Sequence, residues 1–564
     1  MDTSSSFLTA PVAANVCLRE HMSVHTRVEG ASSAVRGVVT VGAAVLLAMV
    51  ALAGCSVSDQ ATATDLIVLG EGQDPGDFNP MLGYAQLGVS PIYDGLLIPA
   101  ADGDDRVPDL VPALAASRPE RVAPRTWRVP LKSGVTFSDG TAFDAADVVA
   151  TYRAVVDPRV ASQISTDFAP IVSVEADGPG AVTVRMNTDA DPSPYLLVGV
   201  VPAERVEDAP AAEWALNTEP VGTGAYRLDS LEPDQAVLVA RENYWGNQPA
   251  VQRIVYTHVP DDNTRAQRIA AGEIDGANLP PRLAESLDGR DGIDVVSVKS
   301  ADWRGISLPS TNPFTADPAA RLAMNLGVDR QAVVDDVLTG DGEPASTPIA
   351  SVYGADVYDE QAQFGFDADR ARATLDAAGW RTAPDGIRAR GADRASFALL
   401  YNAEDTLRRD LAVAFAASMK RIGVEVLTRG TSWDEIDSEL TSAAVLLGGG
   451  ATPYSIDSQV YDTLHTRVAN SSPYSNPGDL TAPGLDALLD EARASAPGPA
   501  NDQRYQRIQQ IYAAAPSYVF LAFLHHTYAS RGEGWRHDDP ILEPHSHGVT
   551  WGPWWNVPSW QPIS

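Results

Sequence analysis

The chain has 564 residues, 44% of them hydrophobic and 20% charged, so it is long and apolar enough to fold as two or more domains and is not a disordered polypeptide. Its formal net charge of −33, from 74 acidic against 41 basic side chains, repels polyanions and excludes nucleic acid as a partner held by phosphate neutralisation. The acids are spread along the chain, as on solvated surface, rather than gathered into a site.

The first predicted element is an export signal. Arg19, Arg27 and Arg36 precede an apolar run from Val38 to Ala53, about 16 residues long, which closes on the small residues Ala53 and Gly54. A membrane-spanning helix needs roughly 20 residues, so the run reads as a cleaved signal and not as a span. Cys55 follows directly, and Leu52-Ala53-Gly54-Cys55 resembles a bacterial lipobox, in which the cysteine sulfur takes a diacylglycerol and the chain is cut before it. Residues 1–54 are therefore expected to be a lipoprotein signal peptide, with Met1 or Met22 as its start, and 55–64 a polar tether. Cleavage there removes Cys17, leaves Cys55 as the one cysteine of a mature chain of about 510 residues, and rules out an intramolecular disulfide.

Beyond the tether, Leu66 to Leu69 is of strand type. Gly70 and Gly72 superficially suggest a dinucleotide loop, but the next glycine falls at 76, one position too late, and no helix pattern follows. In "TWRVPLKSGVTFSDGTAFDAADVVATYRAVVDP", Trp127, Val129 and Leu131 alternate as a strand face, Asp139-Gly140 makes a turn, and Asp144 caps a helix carrying Val148, Val149 and Tyr152. "PVGTGAYRLDSL" and "AVLVARENYWG" predict two strands joined by a turn; Gly222-Thr223-Gly224 lacks the lysine and spacing of a phosphate loop. "RIVYTHVPDDNTRAQRIAAGEIDGANLP" predicts strand, capped helix, strand. From about 306, Asp329 caps a helix with Val333, Val334, Val337 and Leu338 on one face. A strand then leads into a helix with Leu407, Leu411, Phe415, Met419 and Ile422 in line, and "SWDEIDSELTSAAVLLGGG" repeats the order. This alternation argues for a partly parallel sheet covered by helices.

Catalytic patterns are missing: no HExxH, GxSxG or CxxC occurs, so a hydrolase has no recognisable nucleophile and base. His525-His526 and His545-x-His547 are the one arrangement suggestive of a metal. Adjacent histidines on a strand face opposite ways, and no third ligand is set beside them, so these are read as core or surface residues.

The stretches "LKSGVTFSDGTAFDAADVVATY", "GTGAYRL" with "ENYWG", "GEIDGANLP" and "ARLAMNLGVDRQAVV", in that family's order between about 66 and 530, resemble the extracytoplasmic solute-binding proteins of ABC importers, family 5, the oligopeptide/dipeptide/nickel-binding class. The resemblance implies an α/β, periplasmic-binding-protein-like fold (type II, cluster C) of three lobes that close about a hinge, without chemistry and without a cofactor. Lobe I would comprise 65–99, 222–305 and 530–564, lobe II 100–221, and lobe III 306–529. It further implies a monomer on the extracytoplasmic face of the bacterial membrane, held by its lipid anchor, with a peptide or peptide-like solute and the ABC permease and ATPase subunits as partners. A metal chelate, haem or a glycoside as ligand, or a sensing role, are the alternatives within the fold.

In that class the tryptophan at the place of Trp433 lines a side-chain pocket, and the following strand pairs with the peptide backbone while its aspartate holds the ammonium. Here that run is Gly448-Gly449-Gly450-Ala451-Thr452, with Thr452 where the carboxylate would stand. Asp457 substitutes if the loop folds back, and is otherwise a turn or cap residue. The arginine that dipeptide binders use for the ligand carboxylate has no clear counterpart near Tyr401 and Asn402. Leu82, Gly83 and Tyr84, Asn278 in lobe I, and Trp303 are further candidates, either for the cleft or for ordinary packing. Gly449→Trp is expected to abolish binding without unfolding. The C-terminal "WGPWWNVPSW" is read as sealing a core.

Overall fold

The computed structural model describes residues 65–101, 106–450, 454–468, 471–531, 534–545 and 548–563; the expected signal peptide, tether and Cys55 lie outside these, as do Thr452 and His547. Eleven strands form one sheet: β1 (Leu66–Glu71), β2 (Tyr226–Glu232), β3 (Gln235–Ala240), β4 (Arg253–His258), β5 (Gly276–Leu279), β6 (Asp294–Ser307), β7 (Gly342–Pro344), β8 (Ser396–Asn402), β9 (Glu425–Thr431), β10 (Ala444–Gly449) and β11 (Tyr518–Ser530). Their neighbour order is β9-β8-β10-β6-β11-β5-β1-β4-β3-β2, with β7 added on β11. β8 runs parallel to β9 and β10, and β1 runs parallel to β4 and β5. The long antiparallel pair β6 and β11, of 14 and 13 residues, joins the two parallel sets.

Five helices matter here: α1 (Ala145–Val156), α2 (Asp262–Ala271), α3 (Thr406–Arg421), α4 (Trp433–Glu439) and α5 (Ile456–Leu464). Each begins on a side chain that accepts a first-turn N–H, from Asp144, Asp261, Asp405, Ser432 and Ser455 in turn. The strand-helix-strand order expected around 253–279 and 396–449 is found, as is the hairpin of β2 and β3. Along β10, Ala444 and Leu446 pack into a core with Leu411, Phe415 and Met419 of α3. Val445 and Leu447 face the other way, into a core with Ile436 of α4 and Val460 of α5. Burial on both faces is what a parallel sheet with crossover helices requires.

A four-stranded antiparallel sheet (Glu120–Ala123, Thr126–Pro130, Ile171–Ala176, Ala181–Met186) packs with α1 into a core that also takes Ile67, Leu238 and Ile254 of the large sheet. Trp554 and Trp560 lie in the same core, so the C-terminal aromatics do seal it.

The β6–β11 ladder breaks between Lys299 and Trp303. Ser300 leaves it to bridge Glu543, and its hydroxyl donates to the Leu524 carbonyl at 2.6 Å. Gly450 abuts this bulge at φ +97°, where a Cβ would stand 2.1 Å from the Ala301 oxygen. No other residue fits that position.

Candidate functional site

A cleft of about 980 Å³ opens where the two parallel sets end. Five of their six strands bring their C-terminal ends to it, through Gly70 and Glu71 of β1, His258 of β4, Asn278 and Leu279 of β5, Asn402 of β8, and Leu447 to Gly449 of β10. Open α/β sheets bind ligands outside these strand ends because the loops there diverge at a change of strand order. Arg304 of β6 and Leu524 to Thr527 of β11 line it between the sets, and Arg408 of α3 and Trp433 of α4 complete the wall on the β8 and β10 side of the sheet's chain order.

Of the residues singled out from sequence, Trp433, Gly448, Gly449, Asn402 and Asn278 line this cleft. Asn278 is engaged there, its Nδ2 donating to the Thr527 carbonyl at 3.2 Å. The other candidates among the described residues do not line it. Tyr401 lies over its cross-strand partner Gly430. Gly83 ends a short 3-10 turn at φ +99°, and Tyr84 packs edge-on against Phe78 and Tyr93. Gly450 serves the bulge, its carbonyl accepting from the His545 backbone at 3.0 Å. Asp457 sits in the first turn of α5, where both its oxygens accept from Arg493 Nε at 3.1 and 2.8 Å, so it does not stand in for the missing aspartate.

Trp303 is buried beneath the cleft, edge-on to Phe520 with ring centres 4.9 Å apart. A Cβ on Gly449 would come within 2.2 Å of its ring, and one on Gly448 within 2.5 Å of His545. Gly449→Trp would therefore displace a core indole before it blocked a ligand, and would not leave the fold intact as the sequence alone suggests.

Sequence reading missed the charged floor. Asp302, fully buried, accepts from Arg304 Nη1, from His545 Nδ1 at 2.7 Å and from His526 Nε2 at 3.0 Å. The other nitrogen of His526 lies 2.6 Å from Glu543, which also accepts from the Tyr528 hydroxyl at 2.7 Å and the Gly552 N–H at 2.6 Å. Burial alone would discharge His526, but the two carboxylates outweigh it and hold its pKa up at about 9. Asp302 likewise resists burial through Arg304, His545 and His526, and stays well below the usual carboxylate range. His545 is pushed down, by burial first and then by the cations Arg304 and Arg408, against the pull of Asp302.

A second charged contact joins the segment after α1 to α5. Asp167 accepts from Gln86 Nε2 at 2.7 Å and is raised to about 7 by burial and then by the charge of Asp462, with Asp457 adding and Gln86 and Arg493 opposing. A carboxyl raised above its ordinary 3.8 gives stability that is full below that value and lost as pH rises through about 7. Asp167→Asn keeps the acceptor for Gln86 and removes the charge. Thermal unfolding should show the variant gaining on the parent between pH 4 and 7 and staying ahead above it; parallel pH profiles for the two would refute the assignment.

The family described as "Bacterial extracellular solute-binding proteins, family 5 Middle" matches residues 109–471. Protein XP55 of Streptomyces lividans is 35% identical over 483 residues, covering 84% of this chain and 86% of its own. Among solved structures, NikZ from Campylobacter jejuni in complex with Ni(L-His) superposes with TM-score 0.78 at 22% identity, over 88% of this chain and 99% of that one. The oligopeptide-binding protein AppA from Bacillus subtilis, in complex with a nonapeptide, gives 0.74 at 22% identity, again over 88% and 99%.

Proposed function

Because the chain belongs to the bacterial extracellular solute-binding proteins of family 5, which are binding proteins and not enzymes, we propose that it captures peptides in this cleft and delivers them to the permease and ATPase subunits of an ABC importer. The observation that carries the reading is the edge of β10. Its pairing with β8 ends at Val445, while the other side of the strand stays paired with β6 as far as Gly449. Among the described residues the β8 side of Leu446 to Gly449 has no strand partner, and Gly448 and Gly449 put no side chain in the way. An extended peptide laid along it adds a strand through main-chain hydrogen bonds, and its alternate side chains reach the surrounding pockets.

The cleft volume is at the upper end of the ~300–1,000 Å³ typical of ligand pockets, enough for several residues. Closure of lobe I (65–99, 222–305, 530–564) and lobe II (100–221) on lobe III (306–529) would complete contacts made only in the closed state, so a ligand shifts the hinge equilibrium by its preference for that state. Capture at micromolar concentration needs a net binding energy of only about −8 kcal/mol. In this reading Cys55 carries the lipid that holds a monomeric receptor at the extracytoplasmic face of the membrane.

Native mass spectrometry of the purified protein should reveal bound peptides. A metal chelate, haem or a glycoside in the spectra would assign the cleft to that solute instead. Trp433 lines the cleft, stacked under Arg408 at 5.3 Å, and its fluorescence should respond to the ligand found. Trp433→Phe should lose most of that signal; a full response from the variant would take Trp433 out of the site.

A further inference from the structure

Away from the residues that line the cleft, the chain between α1 and β2 meets α5 across a contact rich in acids. Thr166 donates its hydroxyl to Asp462, and the Tyr195 hydroxyl bonds with Ser455, the cap of α5. Asp167 faces α5 there over a gap of about 10 Å³, the size of one water. Tyr454 lines the same gap, and among the described residues its buried hydroxyl has no hydrogen-bond partner. The charges do not balance. α5 presents Asp457 and Asp462, and Asp490 of α6 (Leu485–Ala494) adds to their field while it accepts from the Tyr461 hydroxyl at 2.8 Å. Arg493 of α6 is the guanidinium that faces them, and its Nε is spent on both oxygens of Asp457. His465 is stacked on Tyr461 with its Nε2 3.6 Å from Asp490, and Tyr505 on the next helix is a phenol that burial keeps neutral. From the other side Asp167 receives only an amide, the Nε2 of Gln86 at 2.7 Å.

Asp167 and Thr166 belong to lobe II in the division given above, Gln86 to lobe I, and α5 and α6 to lobe III. Resting on that division and on closure about its hinge, we propose that this contact is a proton-operated latch: a protonated Asp167 lets lobe II seat on α5, an ionised one pushes the two apart, and closing over a ligand takes up a proton from solvent. In the seated form Asp167 is raised to about 7, by burial first and then by the charge of Asp462, and both Asp457 and Asp462 are raised by burial as well. Opening returns water to Asp167 and with it the ordinary value of 3.8. The ratio of closed to open molecules is therefore highest below about 4, falls by up to about tenfold per pH unit, and levels off above about 7.

Energy transfer between two dyes tests the latch in the full chain. Val172→Cys in lobe II and Val413→Cys in lobe III provide exposed attachment points, with Cys17 and Cys55 replaced by serine. Single molecules followed from about pH 5 to 8 should show a short and a long distance, the short one fading as pH rises. Asp167→Asn keeps the acceptor for Gln86 but carries no charge, and its short distance should persist at the top of that range. Asp462→Asn keeps an acceptor for Thr166 and removes the charge that faces Asp167, so the fading should be smaller and should level off at a lower pH. Two distances whose proportions ignore pH overturn the latch and leave the hinge standing, as does an Asp167→Asn protein that follows its parent. A single distance at every pH in all three proteins overturns the hinge as well.

Discussion

Replacing His526 with alanine is expected to destabilise the protein by roughly 3–5 kcal/mol, because it removes the cation between two buried carboxylates. Asp302 and Glu543 are both 0% exposed. Asp302 would keep Arg304 and His545, but among the described residues Glu543 would keep only the neutral donors Tyr528 and Gly552. The pH dependence gives the signature. The folded-state pKa of His526, about 9, lies above its ordinary 6.5, so its contribution is complete below 6.5 and is lost as pH rises through 9. Denaturant unfolding of the parent should weaken over that window, and the alanine variant should lack the decline. An alanine variant that unfolds at the parent's denaturant midpoint at pH 6 would show that the triad is not holding the junction of β6 and β11.

The parts of this fold legible in the sequence are those written in short-range pattern. Asp144 and Asp329 announced their helices because a carboxylate just ahead of an apolar period caps the first turn. The line Leu411, Phe415 and Met419 does pack as one face against the sheet. Gly448 and Trp433 were singled out through the resemblance of the run that carries them, and both line the cleft. The floor of the cleft was not legible because it is assembled by register: Asp302 meets His526 across 224 positions and His545 across 243. Strand alternation correctly argued against treating His525 and His526 as a pair, yet it says nothing about which carboxylates either one meets. One local signal was available. Asp302 and Arg304 interrupt an otherwise apolar part of a long strand, and charged residues there must be paired or lie beside a site. Arg408 was hidden differently, since an arginine three residues after a helix cap reads as an ordinary surface ion pair with Asp405.

Gly449→Ala is expected to cost about 1–3 kcal/mol of stability and to weaken ligand binding together, although it adds a single methyl group. The added Cβ would lie 2.2 Å from Trp303, and the indole has no room to retreat: Phe520 and Tyr518 stand edge-on to it at 4.9 and 5.9 Å. Either the indole is forced from its packing or β10 moves away from β6 where it borders the cleft, and both routes alter the strand edge that the peptide would use. Trp303→Phe by itself should also destabilise, by leaving a cavity beneath the strand. In the double variant the smaller ring makes space for the methyl, so the combined loss should fall short of the sum, a coupling that contacting residues show and distant ones do not. Measuring unfolding free energy and peptide affinity across all four proteins tests this. Strict additivity, or a Gly449→Ala protein as stable as its parent, would mean that β10 is not held in place by the indole beneath it.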